Sequence, residues 1–107
     1  MGKGVIAVWS NPISDDQEAE YNDWYNGIHI SELTAGNQCS RVTRYKVSDS
    51  TQMPGAPAPA HKYLAIYEFD DLEAGFAEMA TIETTPGPIN LENNRITLFE
   101  QVHDSRK

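Results

Sequence analysis

The residues best equipped for chemistry crowd into one short stretch, Asp23-Trp24-Tyr25-Asn26-Gly27-Ile28-His29. His29 exchanges a proton near neutral pH. Tyr25 can donate a phenolic hydrogen bond to a carbonyl or enolate oxygen. Trp24 and Ile28 can wall an apolar ligand, although large side chains at helical spacing first of all pack a core. Together these groups suit proton transfer beside a carbonyl, with His29 as the expected catalytic acid-base and Tyr25 as its companion. Glu32, three residues on, either orients and acidifies His29 or is a solvated helix-end carboxylate. Asn11, following the first apolar run, is a candidate amide donor, or a turn former before Pro12. Tyr21, Trp24, Ile28 and Tyr67 complete the expected substrate-binding set, and Tyr45 and Tyr63 line either the same pocket or an interface.

Other chemistries lack their residues. His29, His61 and His103 have no ligand spacing, and Cys39 is the single cysteine, so neither a metal site nor a disulfide is expected. The chain has no glycine-rich phosphate loop after a strand and no G-x-S-x-G elbow, so we expect no cofactor and no acyl-enzyme. A formal charge of −8 without a basic run removes the backbone attraction behind nucleic-acid binding and disfavours an anionic membrane. The apolar run near the N-terminus is too short for a membrane span or a signal peptide, and a cytoplasmic protein is expected.

The elements that must position these groups follow from pattern and punctuation. Residues Lys3 to Ser10, rich in β-branched and aromatic types, predict a strand that Asn11-Pro12 ends. Ser14-Asp15-Asp16 caps a helix from about Asp15 to Asn26, where Gly27 can relax it before a further turn to Thr34. Cys39 to Val47 predicts a second strand, with Val42 on one face and Arg41, Thr43, Tyr45 and Val47 on the other. Residues 48–61, with Pro54, Gly55, Pro57 and Pro59, form a connector or lid. His61 to Phe69 is a third strand. Asp71 caps a helix from Leu72 to about Ile82 with Leu72, Phe76 and Met79 on one side, and Arg95 to Val102 is a fourth strand.

At 107 residues with 39% apolar side chains there is material for one core, so residues 1–107 are read as a single domain. The order βαββαβ folds, through two right-handed crossovers, into an α+β ferredoxin-like unit: a four-stranded antiparallel sheet with both helices on one face. The other sheet face is then apolar and bare, which predicts a homodimer closed sheet against sheet.

The run Glu20-Tyr-Asn-Asp-Trp-Tyr-Asn-Gly-Ile-His-Ile30, with Arg44-Tyr-Lys-Val47 and Tyr63-Leu-Ala-Ile-Tyr-Glu68, resembles the EthD-like branch of the dimeric α/β-barrel superfamily. Its specific part is Trp-Tyr-x-x-x-His. The resemblance implies a ferredoxin-like protomer, a homodimer and a pocket between helices and sheet. It also implies cofactor-free chemistry on small aromatic or polyketide-like molecules. A cofactor-free lyase, cyclase or dehydratase is the leading expectation. The alternatives are a cofactor-independent monooxygenase, a non-catalytic ligand-binding or accessory protein and, as a lesser variant, a haem-degrading dimer.

Overall fold

The computed structural model describes residues 2–106. β1 (Gly4–Ser10) leads through a 3₁₀ turn (Asp15–Gln17) into α1 (Glu18–Trp24). A π turn (Tyr25–His29) and α2 (Ile30–Leu33) continue the same helical rod. β2 (Cys39–Lys46), β3 (Tyr63–Phe69), α3 (Leu72–Met79) and β4 (Arg95–Glu100) complete the βαββαβ order.

The strands lie in the order β2-β3-β1-β4, and each neighbouring pair is antiparallel. Because side chains alternate along a strand, Ile6 and Val8 of β1 share one face with Tyr63, Ala65, Tyr67 and Phe69 of β3 and with Ile96 and Leu98 of β4. Tyr21 and Trp24 of α1, Tyr25 of the π turn and Leu72 of α3 pack with Ile6, Tyr63 and Tyr67 into one core, so both helices cover this face. The structure is therefore the ferredoxin-like α+β arrangement expected from the sequence. The opposite face presents Val5, Trp9, Leu64, Ile66 and Phe99, with Phe99 half exposed and its ring set edge-on to Trp9 at 6.4 Å.

Several boundaries differ from expectation for local reasons. α3 ends at Met79, three residues early, because backbone bonds Thr81 N–H to Glu78 O and Ile82 N–H to Met79 O tighten its end into 3₁₀ geometry. Asp71 caps it as anticipated, its carboxylate accepting from the Ala74 amide at 3.1 Å. β4 ends at Glu100, and Val102 beyond it is exposed. In β2 a register irregularity between Cys39 and Arg41 fixes which residues face the helices. Val42 and Arg44 then point to the helical side, opposite Tyr67 and Ala65, whereas Arg41 and Tyr45 do not.

The connector between β2 and β3 carries no helix or strand. It turns at Pro54-Gly55, where the Ala56 amide bonds back to Met53 O at 3.1 Å and Gly55 has φ +80°, a conformation that favours glycine after proline. Its base is pinned by Asn11, whose amide nitrogen donates to Ala60 O and whose carbonyl accepts from Lys62 N–H at 2.7 Å.

Candidate functional site

The helical rod does not keep α-helical register through the candidate motif. Ile30 N–H bonds to Tyr25 O, a span of five residues, so one extra residue is wound into that turn. In an α-helix, residues five apart point roughly 140° away from each other. Here the widened turn brings His29 onto the side of Trp24: their rings stack with centroids 4.5 Å apart and planes 24° from parallel. Tyr25 meets the same imidazole edge-on at 4.8 Å. Ile28, placed on the buried stripe by regular spacing, is turned outward and is 44% exposed.

These three rings line one end of a cavity of about 390 Å³ between the helical layer and the sheet. Ile6 and Val8 of β1, Tyr67 of β3, Leu33 of α2, Met79 of α3 and Ile96 of β4 form much of its wall. Residues 84–87, with Ile89, Leu91 and Asn94, form the remaining side. No Lys, Arg, Asp or Glu lines it among the described residues. The space is within the range of small-molecule sites and mostly apolar, with its polar groups gathered at His29, Tyr25 and Tyr67 and at the Thr84, Thr85 and Asn94 rim.

The polar end is built from a hydroxyl pair. Tyr25 Oη and Tyr67 Oη lie 3.1 Å apart, both residues almost wholly buried. One hydroxyl donates to the other, so the second O–H is left with no acceptor among the described residues. Burial pushes both phenols above their ordinary pKa and keeps them protonated donors. His29 Nδ1 is likewise buried without a hydrogen-bond partner among the described residues. Burial lowers the His29 pKa below its ordinary 6.5, against the opposing pull of the Glu32 carboxylate, so the ring is neutral at pH 7 and able to accept a proton.

A strap holds the far wall over this end. Thr85 donates its backbone N–H and its hydroxyl to the two oxygens of Glu32, at 2.8 and 2.7 Å, and accepts the Trp24 indole N–H on its carbonyl at 3.1 Å. The Thr85 bonds hold the Glu32 carboxyl below its ordinary pKa. At Gly87 the backbone lies so close to the Trp24 indole that a Cβ there would stand 2.1 Å from ring carbons. Glu32 is therefore a latch for the strap as well as a neighbour of His29, a role that sequence spacing alone does not show.

The other candidates fall elsewhere. Tyr21 is wholly buried, its hydroxyl 2.5 Å from Ser10 Oγ, and packs edge-on against Tyr25 behind the cavity wall. Asn11 lies in a second depression with Asp15, Lys46, His61 and Lys62, where it secures the connector. Tyr63 joins a polar chain at the start of α1: its hydroxyl donates to Glu18 Oε2 at 2.5 Å and accepts from Asn22 Nδ2 at 2.9 Å. The Tyr63 bond first, then Lys62, holds the Glu18 carboxyl at about 2. His61 bonds to Asn93 O and His103 to Ser105 Oγ, both away from the cavity. The described residues contain no cluster of three or more His, Cys, Asp or Glu side chains able to hold a metal. No helix among them is long and apolar enough to cross a membrane.

Sequence reasoning missed Arg44 and the strap. A strand arginine reads as solvated unless the bulge that aims it inward is known, and Thr85 and Gly87 sit in a stretch whose only local signal is a turn.

Neither a protein-family model nor a curated protein sequence matches the chain. Among solved structures, 98% of this chain superposes on 97% of an EthD-like protein from Ralstonia eutropha JMP134, with a TM-score of 0.56 and 18% sequence identity. The fold is therefore the one carried by that EthD-like protein.

Proposed function

We propose that the chain is a cofactor-free enzyme of the lyase, cyclase or dehydratase kind, acting on a small aromatic or polyketide-like carbonyl compound. The observation that carries the reading is the buried, unpartnered His29 Nδ1 in a ring that lines an apolar cavity beside the Tyr25–Tyr67 hydroxyl pair. A neutral imidazole removes a proton from a carbon next to the carbonyl, and the electron pair moves onto the carbonyl oxygen. The free hydroxyl of the tyrosine pair donates to that oxygen as charge develops. Return of the proton from His29 to a departing hydroxyl completes elimination; in cyclisation the enolate carbon bonds to a second carbonyl carbon and His29 returns the proton to the alkoxide formed there, and neither course needs an oxidant. Trp24 holds the imidazole in plane and the apolar walls exclude water. General acid-base help of this kind supplies about 10²- to 10⁴-fold, which suits an activated carbonyl. The likeness to the EthD-like protein supports the fold, and the chemistry rests on the cavity.

The reading includes a homodimer formed through the bare sheet face, supported by Val5, Trp9, Leu64, Ile66 and Phe99, and a cytoplasmic setting. Light scattering should give a dimer mass that Leu64→Asp reduces to a monomer, and a wild-type monomer contradicts the dimer.

The reaction is tested by solvent deuterium exchange into the carbon between the carbonyls of 1-phenylbutane-1,3-dione. We expect exchange faster with wild-type protein than in buffer, and its loss in His29→Gln. Equal exchange with His29→Gln defeats the proposal. Binding without enhanced exchange assigns the site to ligand binding alone, and oxygen consumption with a phenolic substrate assigns it to a monooxygenase.

A further inference from the structure

Arg44 is a cation held almost entirely by neutral groups. β2 turns it toward the helices opposite Ala65, whose small side chain leaves room for the guanidinium. Its Nη1 donates to the side-chain oxygens of Asn22 at 3.0 Å and Asn26 at 2.8 Å. Its Cζ lies 4.2 Å from the centre of the Tyr25 ring, 5.0 Å from that of Tyr63 and 5.3 Å from that of Tyr21. Nε and Nη2 are buried without hydrogen-bond partners among the described residues, their place taken by aromatic faces. No ion pair to it occurs among those residues, and Glu18 is reached only through Tyr63 and Asn22.

Withdrawing a guanidinium from water is costly, and a carboxylate partner would offset that cost while cancelling the field. Amide oxygens and ring faces lower the cost and leave the charge uncancelled. The uncancelled charge stands behind the ring of Tyr25, a residue that lines the cavity and whose hydroxyl is paired with that of Tyr67.

We propose that Arg44 is a positioning residue of the cavity, bracing Tyr25 and supplying a positive field behind it, so that the site favours ligands whose bound form carries negative charge on oxygen, an enolate or a phenolate. The inference rests on the acid-base reading of the same cavity and names the charge state that it stabilises. Among the described residues the walls carry no ionic side chain, so the ligand enters uncharged and becomes anionic in place. Its proton passes to the neutral His29 imidazole, and the electron pair stays on the oxygen facing the tyrosine hydroxyls. The charged groups acting on His29 are Glu32 from α2, which favours its protonation, and Arg44 from β2, which opposes it. Arg44 thus disfavours a second cation before the ligand has ionised, and the imidazolium that then forms is balanced by the phenolate beside it.

The test uses 4-nitrophenol, whose ionisation is read by absorbance, together with an NMR titration of the His29 ring. It compares wild type, Arg44→Met and Arg44→Lys. Wild-type protein should make the bound phenol ionise about tenfold more readily, a shift of about one pH unit. In Arg44→Met that shift should vanish and the His29 pKa should rise, whereas Arg44→Lys, which keeps the charge, retains most of the phenol shift. A folded Arg44→Met protein with both titrations unchanged overturns the proposal, as does a folded Arg44→Lys protein that loses the shift. The wild-type arm needs no variant: a bound phenol no more acidic than free phenol, or no binding at millimolar phenol, also overturns it. The deuterium exchange by His29 stands or fails separately, since these titrations require no turnover.

Discussion

His29 and Trp24 lie face to face at 4.5 Å although they are five residues apart, because the Tyr25–His29 π turn winds one extra residue into the rod. The cavity's proton-active group owes its place to that widened turn, which absorbs the extra residue. Deleting Gly27, which is exposed and whose Cα faces open space, should restore α-helical bonding and leave His29 four residues from Trp24, about 40° round the helix and still beside the indole. We expect a folded protein in which the His29 pKa stays below its ordinary 6.5 and the Trp24 signals still respond to His29 protonation. NMR of the deletion variant checks both.

The depressed His29 pKa makes stability fall on the acid side. Above pH 6.5 the imidazole is neutral folded and unfolded, and its contribution is complete. As pH drops through 6.5 the unfolded chain takes up the proton first, so unfolding is favoured until the folded value is passed. Glu18 acts in a lower window: its folded carboxyl titrates at about 2 against an ordinary 4.5, so its contribution is lost between those values. Urea midpoints measured against pH should show both windows, and His29→Gln should remove only the upper one.

Removing either cavity hydroxyl leaves the other without its partner. Tyr67→Phe should destabilise by about 1–3 kcal/mol, the range for stranding a buried polar group. It should also slow exchange in the diketone assay, because the free O–H is then oriented by nothing. Tyr25→Phe should slow exchange as well, since it removes one hydroxyl of the pair while keeping the ring that lies against Arg44. Chemical denaturation and exchange rates separate the two effects.

Much of this arrangement was legible in the sequence. Element order, the Asp71 cap and the aromatic stripe gave the ferredoxin-like fold, since each is local or periodic. His29, Tyr25, Trp24 and Tyr67 do line one cavity. Ile28 was misplaced by assuming 100° per residue through a turn that is not α-helical. Asn11 has an unforeseen role because it bonds to backbone groups more than forty residues away. Arg44 was given no role, because which face of β2 meets the helices is set by the bulge at Cys39–Arg41, which leaves no mark in composition or period.

The strap gives a steric prediction. Gly87→Ala places a methyl group against the Trp24 indole, and the stiff ring cannot yield without releasing its bond to Thr85 O. We expect about 1–3 kcal/mol of destabilisation, the usual cost of overpacking, and a strap whose Thr85 amide exchanges faster with solvent. Denaturant midpoints and amide exchange read the two quantities.

The central claim is that His29 is a neutral base facing the ligand cavity, and its most direct measurement is the NMR titration of the His29 ring with the cavity empty and filled by 4-nitrophenol. The account predicts a pKa below 6.5 in the free protein and a clear rise when the phenolate is bound beside the ring. A free-protein pKa at or above 6.5, unchanged when the phenol binds, would contradict it.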